Sequence, residues 1–184
     1  MLSQMTRPFK KSKIVAFKAP KRDPNKQYYW HLSTSEELGA SVVRFIPRVR
    51  GEHRNDDEPL ISRFCVAKTP GGCFVALPYE DRSPRYFLYR STHKIITHRP
   101  YNVPDSRVTG ERWKLSRCNM TLIREFTPSE IAEIYDIFKK AASYRECSIY
   151  DIGHARLSIL EAQKVSKYRI NAFLKERYNI AHVD

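Results

Sequence analysis

The chain has 184 residues, with 33 Lys and Arg against 20 Asp and Glu, which gives a net charge of +13. Its hydrophobic content of 41% is typical of a folded protein and excludes general disorder, and no apolar run approaches the length of a membrane span. The four cysteines lack the paired spacing of a zinc site, so we expect reduced, buried thiols, no metal, no cofactor and a cytoplasmic protein.

Residues 1–27 predict a basic, flexible arm. Eight Lys and Arg face a single acid, Asp23, and three prolines discourage regular structure. Such an arm either lies along phosphate groups or is a solvated terminus, and the sequence leaves both interpretations open.

Residues 28–126 predict short strands joined by polar loops. Runs rich in β-branched and aromatic residues occur at 40–47, 60–68, 73–77, 85–97 and 112–125. The sequence Thr69-Pro70-Gly71-Gly72 lies between the second and third runs and predicts a hairpin turn. Short strands in this number are typical of a small antiparallel β-barrel, like the oligonucleotide-binding (OB) barrel, or of a bent sheet.

Residues 127–184 predict a helical extension. Thr127, Pro128 and Glu130 form a start signal for a helix that ends near Ser143. The whole chain is therefore expected to be an α+β protein, with the arm over 1–27, an OB-like β-domain over 28–126 and helices over 127–184.

The last helical stretch has two interpretations. Residues 160–174 have the pattern of a helix-turn-helix with its turn at Val165 and Ser166, or of a helical hairpin packed on the β-domain. A helix-turn-helix would place four residues where duplex DNA is read: Lys167, Tyr168, Arg169 and Asn171.

Cationic side chains alternate with aromatic rings through the predicted β-domain. Lys and Arg neutralise phosphates and ring faces stack on unpaired bases, so this pattern predicts binding of single-stranded DNA or RNA. The stacking set is Tyr28, Tyr29, Trp30, Phe64, Tyr86, Tyr89 and Trp113, and about half of these rings are expected to fill the core instead. The phosphate set is Lys10, Lys11, Lys13, Arg44, Arg48, Arg63, Arg85, Arg90 and Lys94.

Motifs between residues 30 and 78 follow a known order. They are Trp30-His31-Leu32, Gly39, Val42-Val43-Arg44-Phe45-Ile46-Pro47, Pro59-Leu60-Ile61 and Cys73-Phe74-Val75, preceded by the basic Lys10-Lys11-Ser12-Lys13. The series resembles the helix-destabilising single-stranded DNA-binding proteins of T4-like phages. The resemblance implies an OB core, a single-stranded DNA ligand, cooperative binding through the basic motif, and a role in phage replication, recombination or transcription. The zinc cluster and the acidic C-terminal tail of that family have no counterpart here, so neither zinc nor the partners of that tail are implied.

Three alternatives stay open from the sequence. A duplex-binding regulator would use the last forty residues, and an inhibitor or adaptor would bind a host protein. We expect no enzyme, because no Walker, GxGxxG, HExxH or GxSxG motif occurs. A nuclease would have to be assembled from His93, His98, Glu80 or Asp81, and Arg90 or Lys94.

Overall fold

The computed structural model describes residues 19–34, 41–49, 60–76, 85–101, 103, 105–143 and 152–181, with side chains undescribed at 142–143 and 152–159. Its strands are β1 (Trp30–Ser33), β2 (Val42–Phe45), β3 (Phe64–Ala67), β4 (Tyr86–Ser91), β5 (Glu111–Lys114) and β6 (Cys118–Phe126). Its helices are α1 (Pro70–Ala76), α2 (Ser106–Thr109), α3 (Pro128–Ser143) and α4 (Ile152–Tyr178). Most of the predicted arm, including Lys10, Lys11 and Lys13, lies outside the described residues.

The strands form one antiparallel sheet in the order β2-β6-β4-β1-β3-β5. The sheet is open but strongly bent. Although β2 and β3 are not neighbours in this order, Phe45 and Phe64 stack with ring centroids 5.7 Å apart. Just beyond these strands, Arg48 and Arg63 exchange two backbone hydrogen bonds of 3.1 and 2.9 Å. The α+β class with a bent antiparallel sheet and C-terminal helices is therefore confirmed.

Both faces of the sheet are buried at its central strand β4. Alternate residues of β1 and β4 point to opposite faces, so Trp30 and Leu88 pack in one cluster under α1, α3 and α4. Their neighbours Tyr29, Phe87 and Tyr89 pack in a second cluster on the concave side. The helices therefore share a core with the strands, and the bend of the sheet encloses the other core.

Helix α3 begins with the predicted capping box. The Thr127 N–H donates to Glu130 Oε2 over 2.8 Å, and the Glu130 N–H donates to Thr127 Oγ1 over 3.4 Å. Arg124 adds an ion pair to Glu130 at 2.5 Å. Burial opposes ionisation of Glu130, but the hydrogen bonds from Thr127 and Arg124 outweigh it and lower its pKa to about 2. The carboxylate therefore stays charged and anchors the helix to β6.

The hairpin predicted at 69–72 is wrong, because the third predicted strand is helix α1. Thr69 caps it by accepting a 3.1 Å hydrogen bond from the Gly72 N–H, and Pro70 occupies the first helical position. Gly71 donates its N–H to Asn171 Oδ1 over 2.7 Å. The two glycines permit close helix contact here and do not form a strand turn.

The predicted helix-turn-helix and the alternative helical hairpin are both wrong. Helix α4 continues through Val165 and Ser166, and its buried residues Gln163, Ser166, Ile170 and Leu174 keep helical spacing across the predicted turn. No glycine or proline interrupts this stretch. Although α4 has 27 residues, none of the helices in the described residues is long and apolar enough to cross a membrane.

The four residues proposed for duplex reading divide into two pairs. Lys167 donates to the Val108 carbonyl oxygen and Asn171 accepts from Gly71, so both are engaged within the fold. Tyr168 and Arg169 remain exposed on α4. Without a turn before them, they do not form the end of a recognition helix.

Two strand predictions were too long. The run 112–125 is two strands, β5 and β6, with residues 115–117 between them. The run 85–97 forms β4 only as far as Ser91, and a register shift between Leu88 and Tyr89 interrupts its pairing with β6. Beyond Ser91 the β4–β6 pairing ends, and Ile95 and His98 pair with Gln27 and Trp113 instead.

Candidate functional site

Three extended segments lie side by side at the β5 edge of the sheet: residues 21–27, residues 95–99 and β5. Gln27 and Ile95 exchange hydrogen bonds of 3.3 and 2.9 Å, and His98 and Trp113 exchange bonds of 2.8 and 2.9 Å. The Arg99 N–H also donates to the Lys21 carbonyl oxygen over 2.8 Å. Residues 19–27 therefore lie against 95–99, whereas the sequence placed them in a flexible arm.

A buried phenol holds the first segment in place. Tyr29 is fully buried, and its hydroxyl accepts hydrogen bonds from Gln27 Nε2 at 2.7 Å and from Thr97 Oγ1 at 2.8 Å. Asp23 is also buried and forms an ion pair with Arg112 at 3.6 Å. These contacts fix the backbone that carries the basic residues Lys21, Arg22 and Lys26.

The three segments and the adjoining end of β4 carry the surface that we name the basic strand surface. Its members are Lys21, Arg22, Lys26, Arg90, Lys94, Arg99 and Lys114. The acids of residues 19–28, 90–99 and 111–117 are Asp23 and Glu111, and both are buried, at 4% and 8% exposure. These described segments therefore expose their cations and bury their own acids.

The helical layer, formed by α3 and α4, differs in charge. Its eight Lys and Arg are accompanied by five acids, and ion pairs join Lys139 to Asp136 at 3.7 Å and Arg177 to Glu133 at 3.5 Å. The further acids of this layer are Glu130, Glu161 and Glu176. The positive charge of the described residues is thus concentrated on the strand side.

An open cleft of about 500 Å³ lies within the basic strand surface. Its lining residues are Arg22, Lys26, Ile95, Ile96, His98 and Lys114. Lys114 donates to Ser116 Oγ over 2.7 Å, which fixes its ammonium while leaving two donors. The described lining contains three cations, an imidazole and two apolar side chains, but no carboxylate.

The pKa of His98 is lowered by burial and by the cations that line this cleft. Burial lowers its pKa, a hydrogen bond with the Trp113 backbone raises it, and repulsion from Lys114 and Arg22 lowers it further. The net pKa lies below the ordinary value of 6.5, so the imidazole is neutral at pH 7. The surrounding cations disfavour a further positive charge and favour an anion.

Tyr28 lies beside the cleft, two residues beyond Lys26. Its ring is half-buried, with the Arg90 guanidinium 5.3 Å and the Lys94 ammonium 6.0 Å from its centroid. Both distances permit cation–π attraction. Of the predicted stacking set, this is the ring that keeps partial exposure and stands among cations.

The other six rings of the stacking set are core residues, so their predicted role is wrong. Their exposures are 0% for Tyr29, 1% for Trp30, 8% for Phe64, 1% for Tyr86, 0% for Tyr89 and 0% for Trp113. Because both sheet faces are covered, large rings fill two clusters instead of one. Bases cannot stack on them in the folded protein.

The predicted phosphate set is only partly brought together. Arg63 is buried with its guanidinium 4.1 Å from the Trp113 ring centroid, so its predicted role is wrong. Arg85 pairs with Glu125 at 3.3 Å. Arg44 and Arg48 are exposed on and after the edge strand β2, outside the basic strand surface. Arg90 and Lys94 lie within it.

Sequence reasoning missed the cleft because its residues are far apart in the chain. The sequence pattern places Arg22 and Lys26 in the arm, gives no role to Lys114, and offers His98 only as a nuclease base. A cation on each of three extended runs is the available signal, but only strand pairing shows that these runs are neighbours.

The nuclease alternative finds no carboxylate in this cleft among the described residues. Glu80 and Asp81 lie outside the described residues, and His93 is exposed outside the cleft lining. The described residues also contain no cluster of His, Cys, Asp or Glu that could hold a metal ion.

In comparisons with known proteins, no family model, no curated protein and no solved structure matches this chain. The resemblance of residues 30–78 to the phage single-stranded DNA-binding proteins stays a prediction that rests on the sequence motifs.

Proposed function

We propose that the protein binds nucleic acid without catalysing a reaction, and that the basic strand surface forms the interface. The observation that supports this proposal is the separation of charge between the two sides of the molecule. In the described residues, the basic strand surface draws its cations from segments whose own acids are buried, whereas acids and bases are both exposed in the helical layer. A concentrated positive field of this kind attracts a polyanion and releases its counterions on binding.

The geometry suits contacts with successive phosphates. Paired extended segments lie about 4.8 Å apart, and side chains on the same side of one segment repeat about every 6.7 Å. The Lys and Arg side chains of the surface are long enough to follow a sugar–phosphate backbone across these segments. Lys10, Lys11 and Lys13 would add further phosphate contacts along the same nucleic-acid strand.

Burial of six rings changes the expected mode of binding. Tyr28 is the member of the stacking set that can still contact a base, so phosphates contribute most of the affinity. The protein should therefore discriminate weakly between sequences and depend strongly on salt. Single-stranded DNA remains the proposed main ligand, with RNA next, and a nucleic-acid partner is consistent with a cytoplasmic location.

The first prediction compares two triple variants in binding assays. Lys26→Ala, Lys94→Ala and Arg99→Ala together should weaken binding of a labelled single-stranded oligonucleotide about tenfold or more, since three phosphate contacts are lost. The matched control is Lys139→Ala, Lys164→Ala and Lys175→Ala, which removes the same charge from the helical layer. This control should change the dissociation constant less than about twofold.

The measurement is fluorescence anisotropy with single-stranded DNA, single-stranded RNA and duplex DNA at two salt concentrations, with the probe checked for cleavage. Equal losses of affinity in the two triple variants would show that binding depends on net charge alone and would contradict the assigned surface. Absence of binding to all three probes at low salt would contradict the function itself, and probe cleavage would contradict the lack of catalysis.

A further inference from the structure

We propose that the cleft lined by Arg22, Lys26, His98 and Lys114 binds the terminal phosphate monoester of a nucleic-acid strand. This inference rests on the proposed function, and it assigns to one part of the basic strand surface a preference for strand ends. The remaining cations of the surface contact internal phosphates of the same strand.

The cleft is open, and its size suits a small group such as a phosphate with its sugar. Its volume of about 500 Å³ lies in the range of pockets that hold small molecules, which is about 300 to 1,000 Å³. The cations that line it come from residues 22–26 and from β5, on either side of the 95–98 segment. Cations from both sides of this segment can therefore contact one phosphate group in the cleft.

The charge of the cleft favours a monoester over a diester. A terminal phosphate carries about −1.5 to −2 charges at pH 7, whereas an internal phosphodiester carries one. Arg22, Lys26 and Lys114 supply three positive charges, and neutral His98 adds a hydrogen-bond donor or acceptor. Among the described residues that line the cleft, no carboxylate competes for these cations.

The apolar wall of the cleft favours a nucleotide over free inorganic phosphate. Ile95 and Ile96 form this wall beside the cations. A terminal sugar can pack against these side chains while its phosphate meets Arg22 and Lys114. Tyr28, with Arg90 and Lys94 at its ring, is the partly exposed ring of the same surface that a further nucleotide can contact.

The experiment uses the full chain and three single-stranded oligonucleotides of one sequence, with a 5′-phosphate, a 3′-phosphate or hydroxyl groups at both ends. Competition against a labelled probe should give at least about fivefold tighter binding for one phosphorylated oligonucleotide than for the hydroxyl form. Arg22→Gln or Lys114→Gln should remove this difference. Arg99→Gln is a matched change on the same surface but outside the cleft lining. It should weaken binding of all three oligonucleotides equally and keep the difference in affinity between the phosphorylated and hydroxyl forms.

The wild-type comparison needs no variant, so a variant that fails to fold leaves the test intact. Equal affinity of the wild-type protein for all three oligonucleotides would overturn the inference while leaving the proposed function in place. A nucleoside monophosphate that binds as tightly as the phosphorylated oligonucleotide would overturn the assignment to a strand end. Failure of every oligonucleotide to bind would overturn both proposals.

Discussion

His31 shows how a single polar residue on the concave side of the sheet responds to its surroundings. Its Nδ1 lies 2.7 Å from the Cys65 carbonyl oxygen, and the Phe45 and Phe64 ring centroids are 4.6 and 5.8 Å away. Burial lowers its pKa to about 4, although the hydrogen bond to Cys65 raises it. The imidazole is therefore neutral in the folded protein, with Nδ1–H as the donor.

This pKa predicts a loss of stability in mild acid. In the unfolded chain the imidazole binds a proton near pH 6.5, but in the folded protein only near pH 4. Between these values the unfolded state holds more protons, so the contribution present above pH 6.5 is lost as the pH falls. From pH 7 to pH 5, His31 should lower the free energy of unfolding by about 2 kcal/mol.

Urea unfolding of the wild type and of His31→Phe at both pH values isolates this effect, because the other titrating groups are common to the two proteins. The variant should lose about 2 kcal/mol less than the wild type on acidification. If both proteins lose the same amount of stability, the neutral, enclosed imidazole is contradicted.

At the scale of elements, α1 illustrates how tertiary packing overrides a local signal. Its two glycines predict a turn by sequence, yet both lie inside a helix at close contacts. A Cβ at Gly71 would lie 2.5 Å from the Lys167 carbonyl oxygen, and one at Gly72 would overlap with the carbonyl oxygen of Thr109. The glycines therefore let α1 approach α4 and α2 more closely than any other residue would allow.

This packing predicts the sign of a substitution. In an exposed helix, Gly→Ala stabilises by about 1 kcal/mol. At Gly72 the overlap with Thr109 should reverse that sign, and Gly72→Ala should destabilise the protein by about 2 kcal/mol. Ala132→Gly on the exposed side of α3 is the control, and it should cost about 1 kcal/mol by propensity alone. A Gly72→Ala protein that is more stable than wild type in urea would contradict the close contact.

How far the sequence predicts an element depends on whether its signal is local. The capping residues and the apolar period of α3 lie within one stretch, so its bounds were predicted within a residue or two. The existence of β2, β3 and β4 followed from β-branched and aromatic runs in the same way. Gly71 contacts Asn171, a hundred positions later in the chain, and Gly72 faces Thr109, while α4 continues because its buried residues meet other elements. Neither fact is visible in local sequence.

The burial of the rings was hidden for the same reason. Alternation along a strand separates two faces, and the stacking hypothesis treated one of them as open. The bend of the sheet closes the second face, so Tyr89 is as buried as Leu88 on the opposite side. Sequence shows which residues share a face, but it does not show what covers that face.

At the scale of the whole molecule, the proposed binding depends on where the positive charge lies. The net charge of +13 is readable from composition, but its distribution is not. Pairing of 22–27 with 95–98, and of 98 with β5, gathers cations from three regions, while the acids of those regions are buried. The basic strand surface is therefore a product of the fold.

Lysine footprinting by acetylation and mass spectrometry, with and without a saturating single-stranded oligonucleotide, tests this claim most directly. The account predicts that the oligonucleotide protects Lys21, Lys26, Lys94 and Lys114 severalfold, while Lys139, Lys140, Lys164 and Lys175 on the helical layer react at unchanged rates. Protection of the helical lysines with no change at the strand-surface lysines would contradict it.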